Sequence, residues 1–430
     1  VGIKTNENLL RTIGVFGLTS NIVNVIIGSG IFVLPAVVAA GMGASGVLAY
    51  LFCGILIASI MLCFAEVGSK ITITGGIYTY IETVFGKYAG FLAGNLFLAS
   101  VIAADAAVSN ALVNILAAGY SIFENPLVRL VLLFTLFFGL ALINILGVKQ
   151  GLGLVKFFVV AKILPLLVLV IFGLWKVSLD NLNFEALPTI DQLGSTSLIL
   201  FFAFIGGESA LNVGGEVKNP QKNIPKSIFL GIGTVLLLYI LIQIVAQGVL
   251  GDALKDQKAP LAETARQIFG HKGFVLLTAG AAISMIGYMS GTILNMPRVL
   301  YALSRDRVIP VKIFGKIHPK LKTPHWAILS YAAAGFILAS LGSFTKLAVI
   351  ATSAILLLYF GVVLSVIKLR YSQKINSGGF IIPGRLLVPL LSVGIIISFL
   401  LKLTFEEIIG TIIFLVILSV IYAINNSFKK

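Results

Sequence analysis

The chain has 430 residues, 58% of them hydrophobic and only 11% charged, with a net charge of +15. A soluble globular chain carries about 25% charged and about 45–50% apolar residues. A mean hydropathy of +1.07 therefore excludes an ordinary soluble domain and points to a single polytopic membrane domain.

A helix needs about 20 mostly apolar residues to cross the hydrocarbon core. Twelve stretches qualify, in chain order roughly 14–40, 45–68, 89–120, 127–147, 152–175, 194–215, 226–250, 273–301, 325–342, 346–368, 387–403 and 407–425. The polar N-terminus and the long, glycine-punctuated first run do not fit a cleavable signal. Lys and Arg accumulate in cytoplasmic loops. With the N-terminus inside, 22 of the 31 Lys and Arg residues fall in inside segments, 8 fall outside, and Lys162 lies within the membrane. This predicts twelve spans with both ends cytoplasmic. It also accounts for the basic excess without nucleic acid, because that excess faces the anionic lipid of the inner leaflet. The longest inside loop, Arg298 to Pro324, reads as a basic loop with short helices.

The first span holds "VNVIIGSGIFVLPAVVAAG", Val23 to Gly41, with Gly28, Ser29 and Gly30 near its centre. Irregular backbone survives at membrane depth only where it is buried in protein or lines a cavity. A break there frees backbone N–H groups and lets a ligand approach closely. The half-helix beginning at Ile31 would present its positive end to an anion. Cys53 and Cys63, in the second span, are read as buried thiols, since one pair builds neither a disulfide framework nor a metal site.

Three ionisable residues lie deep in spans and are functional candidates by default. Asp105, in the third, contacts a cationic substrate side chain or pairs with a neighbouring helix. Lys162, in "FVVAKILPLLVL" of the fifth, is a candidate proton carrier if buried; Lys156, nearer the cytoplasm, fits a snorkelling role better. Glu208 lies in the sixth, "FFAFIGGESALNVGGE", just after Gly206 and Gly207. It would accept a proton, tie the sixth helix to the first, or be a structural carboxylate. Two interrupted spans five helices apart point to a transport site between inverted repeats; the competing reading is that these glycines only permit tight helix packing. Phe202, at the second break, is placed to cover a substrate from outside, and Tyr288 in the eighth span to close the pocket; core packing is the alternative for both.

These residues resemble a known family. "IIGSGIF" (Ile26–Phe32), "FAEVGSKITITGGIYTYI" (Phe64–Ile81), "FFAFIGGESALNVGGEVKNPQKNIPKSI" (Phe201–Ile228) and "MPRVLYALSRDRVIP" (Met296–Pro310) look like motifs of the amino acid–polyamine–organocation transporters. The resemblance runs from about Asn8 to Tyr371. It implies an all-α LeuT-like fold of twelve transmembrane helices in one domain. A first repeat at about 14–175 and a second at about 194–368 form the five-plus-five inverted repeat, helices 1 and 6 are broken, and two peripheral helices follow at about 387–425. It implies a substrate α-carboxylate on the N–H groups of Ser29, Gly30 and Ile31, close to Gly28. It implies an α-ammonium on carbonyls around Ile26, Phe202 and Ile205. Gly207 leaves space where neutral amino acid exchangers often place an aromatic. Lys162 resembles a fifth-helix lysine that replaces sodium in sodium-independent members, donating to carbonyls near Gly28 and to Ser290.

The expected function is sodium-independent transport of small or medium neutral amino acids by alternating access in a bacterial plasma membrane. Exchange and proton coupling both remain open. A cationic amino acid or polyamine antiporter is the alternative, motivated by Asp105 and Glu208. A receptor or enzyme is remote: His271, His318 and His325 are the only histidines, all lie in loops or at a span end, and no metal triad, cofactor motif or nucleophile–base pair is visible.

Overall fold

The computed structural model describes residues 13–71, 76–146, 152–183, 186–208, 217–305, 311–371 and 380–427, without the side chains of residues 152–161, 302, 305 and 425–427. The Lys156 side chain, the end of the second break from Ser209 to Glu216, and residues 306–310 of the basic loop thus lie outside the described residues.

The architecture is helical. Helices α1 (Val15–Ile26) and α2 (Gly30–Met42) are followed by α3 (Val47–Lys70), α4 (Gly76–Phe85), α5 (Lys87–Gly119), α6 (Pro126–Ile145) and α7 (Leu152–Gly173). Next come α8 (Ile190–Leu200), α9 (Pro220–Leu250), α10 (Pro260–Phe269) and α11 (His271–Arg305). The last are α12 (His325–Leu341), α13 (Phe344–Tyr371), α14 (Leu387–Leu400) and α15 (Phe405–Ser427). Local sequence explains several starts. Asn125 caps α6, its side-chain oxygen accepting from the Leu127 N–H at 2.9 Å, with Pro126 in the first turn where no N–H is missed. Thr189 and Gln192 form a reciprocal capping box at α8.

Among the described residues, seven stretches are long and apolar enough to cross a bilayer by length and composition. One of them, Gly30–Lys70, contains both α2 and α3, joined by a 3-10 turn at Gly43–Gly46. Four shorter apolar helices accompany them: Val15–Ile26, Ile190–Phe204, His325–Leu341 and Leu387–Leu400. Five of the twelve expected spans are not among these seven as whole spans. The first and sixth are broken, so neither half reaches full length, α12 and α14 are short, and the fifth, α7, has side chains described only from Lys162 onward. Two helices lie where only loops were expected: α4 after the second span, and α10 before the eighth. Proline opens α10 and Leu261, Ala262 and Ala265 bury one face of it. In the basic loop α11 continues to Arg305 and a short 3-10 turn occupies Lys312–Gly315.

Helix α5 is central, packing against α11, α12 and α13, while α3 packs on α9 and α13, and α1 on α9. The outer faces of α6 and α15 expose Leu127, Val131, Phe134, Ile413, Val416 and Val420. Such a belt is a liability in water and is matched by hydrocarbon. Cys53 and Cys63 are both buried free thiols.

A charged cluster fastens the ends of α3 and α13. Glu66, 1% exposed, accepts from Arg370 Nε at 2.9 Å and from Lys70 Nζ at 2.8 Å, and it also accepts from the second Arg370 nitrogen. The Ile382 N–H donates to the same carboxylate at 3.1 Å. A buried carboxylate stripped of its arginine loses its principal counter-charge. Arg370→Met is therefore expected to destabilise the protein by about 1–3 kcal/mol, less than a wholly unpaired buried charge would cost because Lys70 and the Ile382 N–H remain. Thermal unfolding in lipid nanodiscs checks this; an unchanged midpoint refutes it.

Candidate functional site

The first span is interrupted. Helix α1 stops at Ile26, residues 27–29 are bent, and α2 restarts at Gly30. The restart is one residue earlier than expected. The N–H groups of the first turn precede any intrahelical acceptor; the first local bond there is Phe32 N–H to the Ser29 carbonyl at 3.0 Å. The second interruption follows α8. A 3-10 turn over Phe201–Phe204 ends it, Ile205 is extended, and Gly206 has φ +116°, a conformation L side chains rarely adopt.

The two breaks meet. A Cβ placed on Gly30 would lie 2.8 Å from Ala203 Cα. Between them and α5 and α11 is a cavity of about 80 Å³, several times the room a single water needs. Its wall includes Ile26, Gly28, Ser29, Gly30, Phe202, Ile205, Glu208 and Tyr288 from the expected set. Helix periodicity supplies the rest. Phe97, Val101, Ala104 and Val108 form one stripe of α5, and Tyr288, Thr292 and Met296 form one stripe of α11. The Ser29 hydroxyl is buried on the cavity wall with no partner among the described residues, which leaves it free to meet a bound water or ligand.

Carbonyls at the end of α1 lack intrahelical donors, and side chains from two other helices meet them. Lys162, 7% exposed, donates to the Ile27 carbonyl at 3.0 Å and also to that of Asn24. The Tyr239 hydroxyl of α9 donates to the Ile26 carbonyl at 3.2 Å and to that of Ala203 at 3.1 Å. The Phe202 carbonyl accepts from the Ile205 N–H at 3.4 Å.

Several expected residues sit elsewhere. Asp105 is fully buried behind the cavity wall, not on it. It accepts from Thr292 Oγ1 at 2.8 Å and from the Tyr331 hydroxyl at 2.8 Å. It lies a third of a turn away from Ala104 and thus faces α11 and α12. Gly207 does not open the cavity: its Cβ position falls 2.9 Å from Ile26 Cδ1, so the first helix already fills that space. Ile31 packs its side chain into the core, leaving only its backbone near the site. Ser290 is half-buried on α11. Glu208 lines the cavity, and its Oε2 accepts from the Gly206 N–H at 2.9 Å and the Tyr359 hydroxyl at 2.6 Å. Phe202 meets Phe344 of α13 edge-on, ring centroids 5.8 Å apart.

Tyr239, Thr292, Tyr331 and Tyr359 were not singled out from sequence. A tyrosine inside an apolar run carries no periodic signal distinguishing a functional hydroxyl from core filling; only its partner across the fold does.

Comparison with known proteins adds a separate line of observation. The family model described as amino acid permease matches residues 13–428. The chain is 29% identical over 410 residues to the serine/threonine exchanger SteT of Bacillus subtilis, covering 91% of each protein. It is 28% identical over 443 residues to a methylthioribose transporter of the same organism, covering 97% of this chain and 94% of the relative. Identity to the branched-chain amino acid permease BcaP, also of B. subtilis, is 25% over 439 residues, covering 97% and 93%.

Proposed function

We infer that this chain, which belongs to the amino acid permease family, carries small or medium neutral amino acids across a bacterial plasma membrane without sodium. It is a multi-pass membrane transporter, not an enzyme. The finer reading comprises twelve spans, both termini cytoplasmic, a five-plus-five inverted repeat and two peripheral helices, working by alternating access.

The observation that carries the substrate class is the convergence of the two breaks on one cavity. The start of α2 offers N–H groups and the positive end of a helix dipole. The ends of α1 and of the Phe201–Phe204 turn offer carbonyls. A zwitterion fits that pair of ends, its α-carboxylate against Ser29, Gly30 and Ile31 and its α-ammonium near Ile26, Phe202 and Ile205. A neutral side chain is favoured because both nearby acids already accept tyrosine hydroxyls, Tyr331 on Asp105 and Tyr359 on Glu208. Relatives named for serine, threonine and branched-chain amino acids support the same class. Sodium independence rests on Lys162, whose ammonium occupies carbonyls a cation would otherwise claim.

The test is uptake of radiolabelled L-alanine into sodium-free proteoliposomes, empty or preloaded with amino acid, with and without an inward proton gradient. Saturable uptake is expected, with unlabelled alanine competing at least about tenfold better than lysine, a difference of about 1.4 kcal/mol. Lysine winning outright would replace this reading with a cationic amino acid or polyamine antiporter, Glu208 being the acid that lines the cavity. Uptake that needs internal amino acid and ignores the gradient identifies an exchanger; concentrative, gradient-driven uptake into empty vesicles identifies a proton symporter.

A further inference from the structure

We propose that the groove between α5, α12, α13 and α15 binds one aminophospholipid of the phosphatidylethanolamine type, its acyl chain in the groove, its ammonium on Glu406 and its phosphate on Lys346. The groove has a volume of about 670 Å³ and shares no residue with the transport cavity. Ala99 and Ala103 of α5, Ile337 of α12, Ala354 of α13, and Gly410 and Phe414 of α15 line it. Four of these six are alanine or glycine, so side chains do not fill the gap. Ile337 and Ile350 on its wall are exposed, so the groove opens sideways, onto hydrocarbon in a chain that spans a membrane. Its inner wall is the back of the transport cavity. On α5, Ala99 and Ala103 face the groove while Ser100 and Ala104 face the cavity. On α13, Ala354 faces the groove and Ile355 the cavity. The Ser100 hydroxyl ties the two helices together, donating to the Ala351 carbonyl at 2.9 Å. A chain seated in the groove therefore packs against the wall that shapes the transport site.

An apolar groove by itself selects no lipid, because a tail that enters it only leaves other tails; packing and polar contacts decide. The mouth supplies the polar contacts. Glu406 and Glu407, in the first turn of α15, border the groove. The Glu407 carboxylate accepts from the Thr404 N–H at 2.8 Å and so caps its own helix, whereas Glu406 is exposed. Lys346, also exposed, lies one helical turn before the groove residue Ile350 on the same face of α13. Glu406 and Ile350 border one groove, so the first turns of α13 and α15 stand at one mouth. That mouth offers an acid and a base above an apolar slot. A primary ammonium has three N–H donors for the carboxylate, and a phosphodiester accepts from the lysine. Phosphatidylglycerol has the phosphate without the ammonium. Phosphatidylcholine has the positive charge without an N–H donor.

The experiment uses the whole purified protein in nanodiscs of phosphatidylglycerol, alone or mixed with phosphatidylethanolamine or phosphatidylcholine of the same acyl chains. Wild type is compared with Gly410→Leu, Glu406→Gln and Gly394→Leu. Gly410→Leu fills the groove, since a Cβ there meets nothing within 4 Å. Gly394 of α14 is equally unhindered and does not line the groove, so it is the control. Retained lipid is counted by native mass spectrometry, and thermal midpoints are measured in each nanodisc. Wild type is expected to retain one phosphatidylethanolamine, to prefer it to phosphatidylcholine by about tenfold, and to show a higher midpoint when it is present. Gly410→Leu is expected to lose both the retained lipid and the rise. Glu406→Gln is expected to lose the preference, and Gly394→Leu to match wild type. Equal retention of the two lipids by wild type, or an unchanged response in Gly410→Leu, overturns the proposal. So does a wild-type dimer that Gly410→Leu splits into monomers with no lipid retained, which gives the groove to a second copy of the chain. Each of these outcomes leaves the functional reading intact, because none of them measures transport.

Discussion

Lys162→Ala is expected to reduce L-alanine transport by about ten- to a hundredfold in sodium-free proteoliposomes. The Lys162 ammonium donates to the carbonyls of Asn24 and Ile27, the exposed end of α1 beside the first break. Alanine leaves a void and two buried acceptors without a donor, each costing about 1–3 kcal/mol. The bent segment between Ile26 and Gly30 then loses its brace, and the N–H groups that would receive a carboxylate no longer hold one position. Tenfold corresponds to about 1.4 kcal/mol, so even the lower bound of that cost reaches the expected loss. Lys162→Met keeps most of the volume but no donor, and is expected to fail like alanine; if methionine transports like wild type, the ammonium is dispensable. Sodium added to Lys162→Ala is a further check, since an emptied cation position invites a replacement cation and partial rescue would mark the site as one.

The apolar runs and both interruptions could be read from the sequence, because each signal is local. Gly28-Ser29-Gly30 and Gly206-Gly207 stand out against residues that otherwise favour helix, and α1, α2 and the Phe201–Phe204 turn end or begin at them. What could not be read depends on which helices meet. For Asp105 the sequence leaves two partners open, a cationic substrate side chain or a neighbouring helix; the structure gives it Thr292, 187 residues away, and Tyr331, 226 residues away. Gly207 was credited with opening space, but room beside a glycine belongs to whatever packs there, and Ile26 does. A count of full-length helices does not return the twelve expected spans, because breaking the first and sixth runs leaves halves too short to cross alone, and α12 and α14 are short as well. Tyr239 was invisible for the clearest reason, since its two acceptors lie 213 and 36 residues from it in the chain.

Gly30→Ala is expected to cost transport at least about tenfold, and the cause is one contact between backbones. The added methyl would lie 2.8 Å from Ala203 Cα, 2.9 Å from Ala203 Cβ and 3.3 Å from Leu34 Cδ1. A Cα cannot swing aside as a side-chain tip does, so the two breaks must separate, and overpacking of this kind costs about 1–3 kcal/mol. Separation moves the N–H groups of α2 away from the carbonyls of the second break, and a zwitterion can no longer span them. Gly207→Ala gives the contrast. The three atoms nearest its methyl are all side-chain atoms of Ile26 and Ile22, the closest at 2.9 Å, and a rotamer change there relieves it. Its expected loss is under about threefold, within the cost of one displaced rotamer. Gly139→Ala, with nothing within 4 Å of the new methyl, is the control for glycine replacement in a helix. Combining Gly30→Ala with Ala203→Gly removes the 2.9 Å clash but keeps the one at 2.8 Å, so partial recovery of transport is expected. Full activity in Gly30→Ala would mean the breaks do not need to touch, and the zwitterion bridge between them would fall.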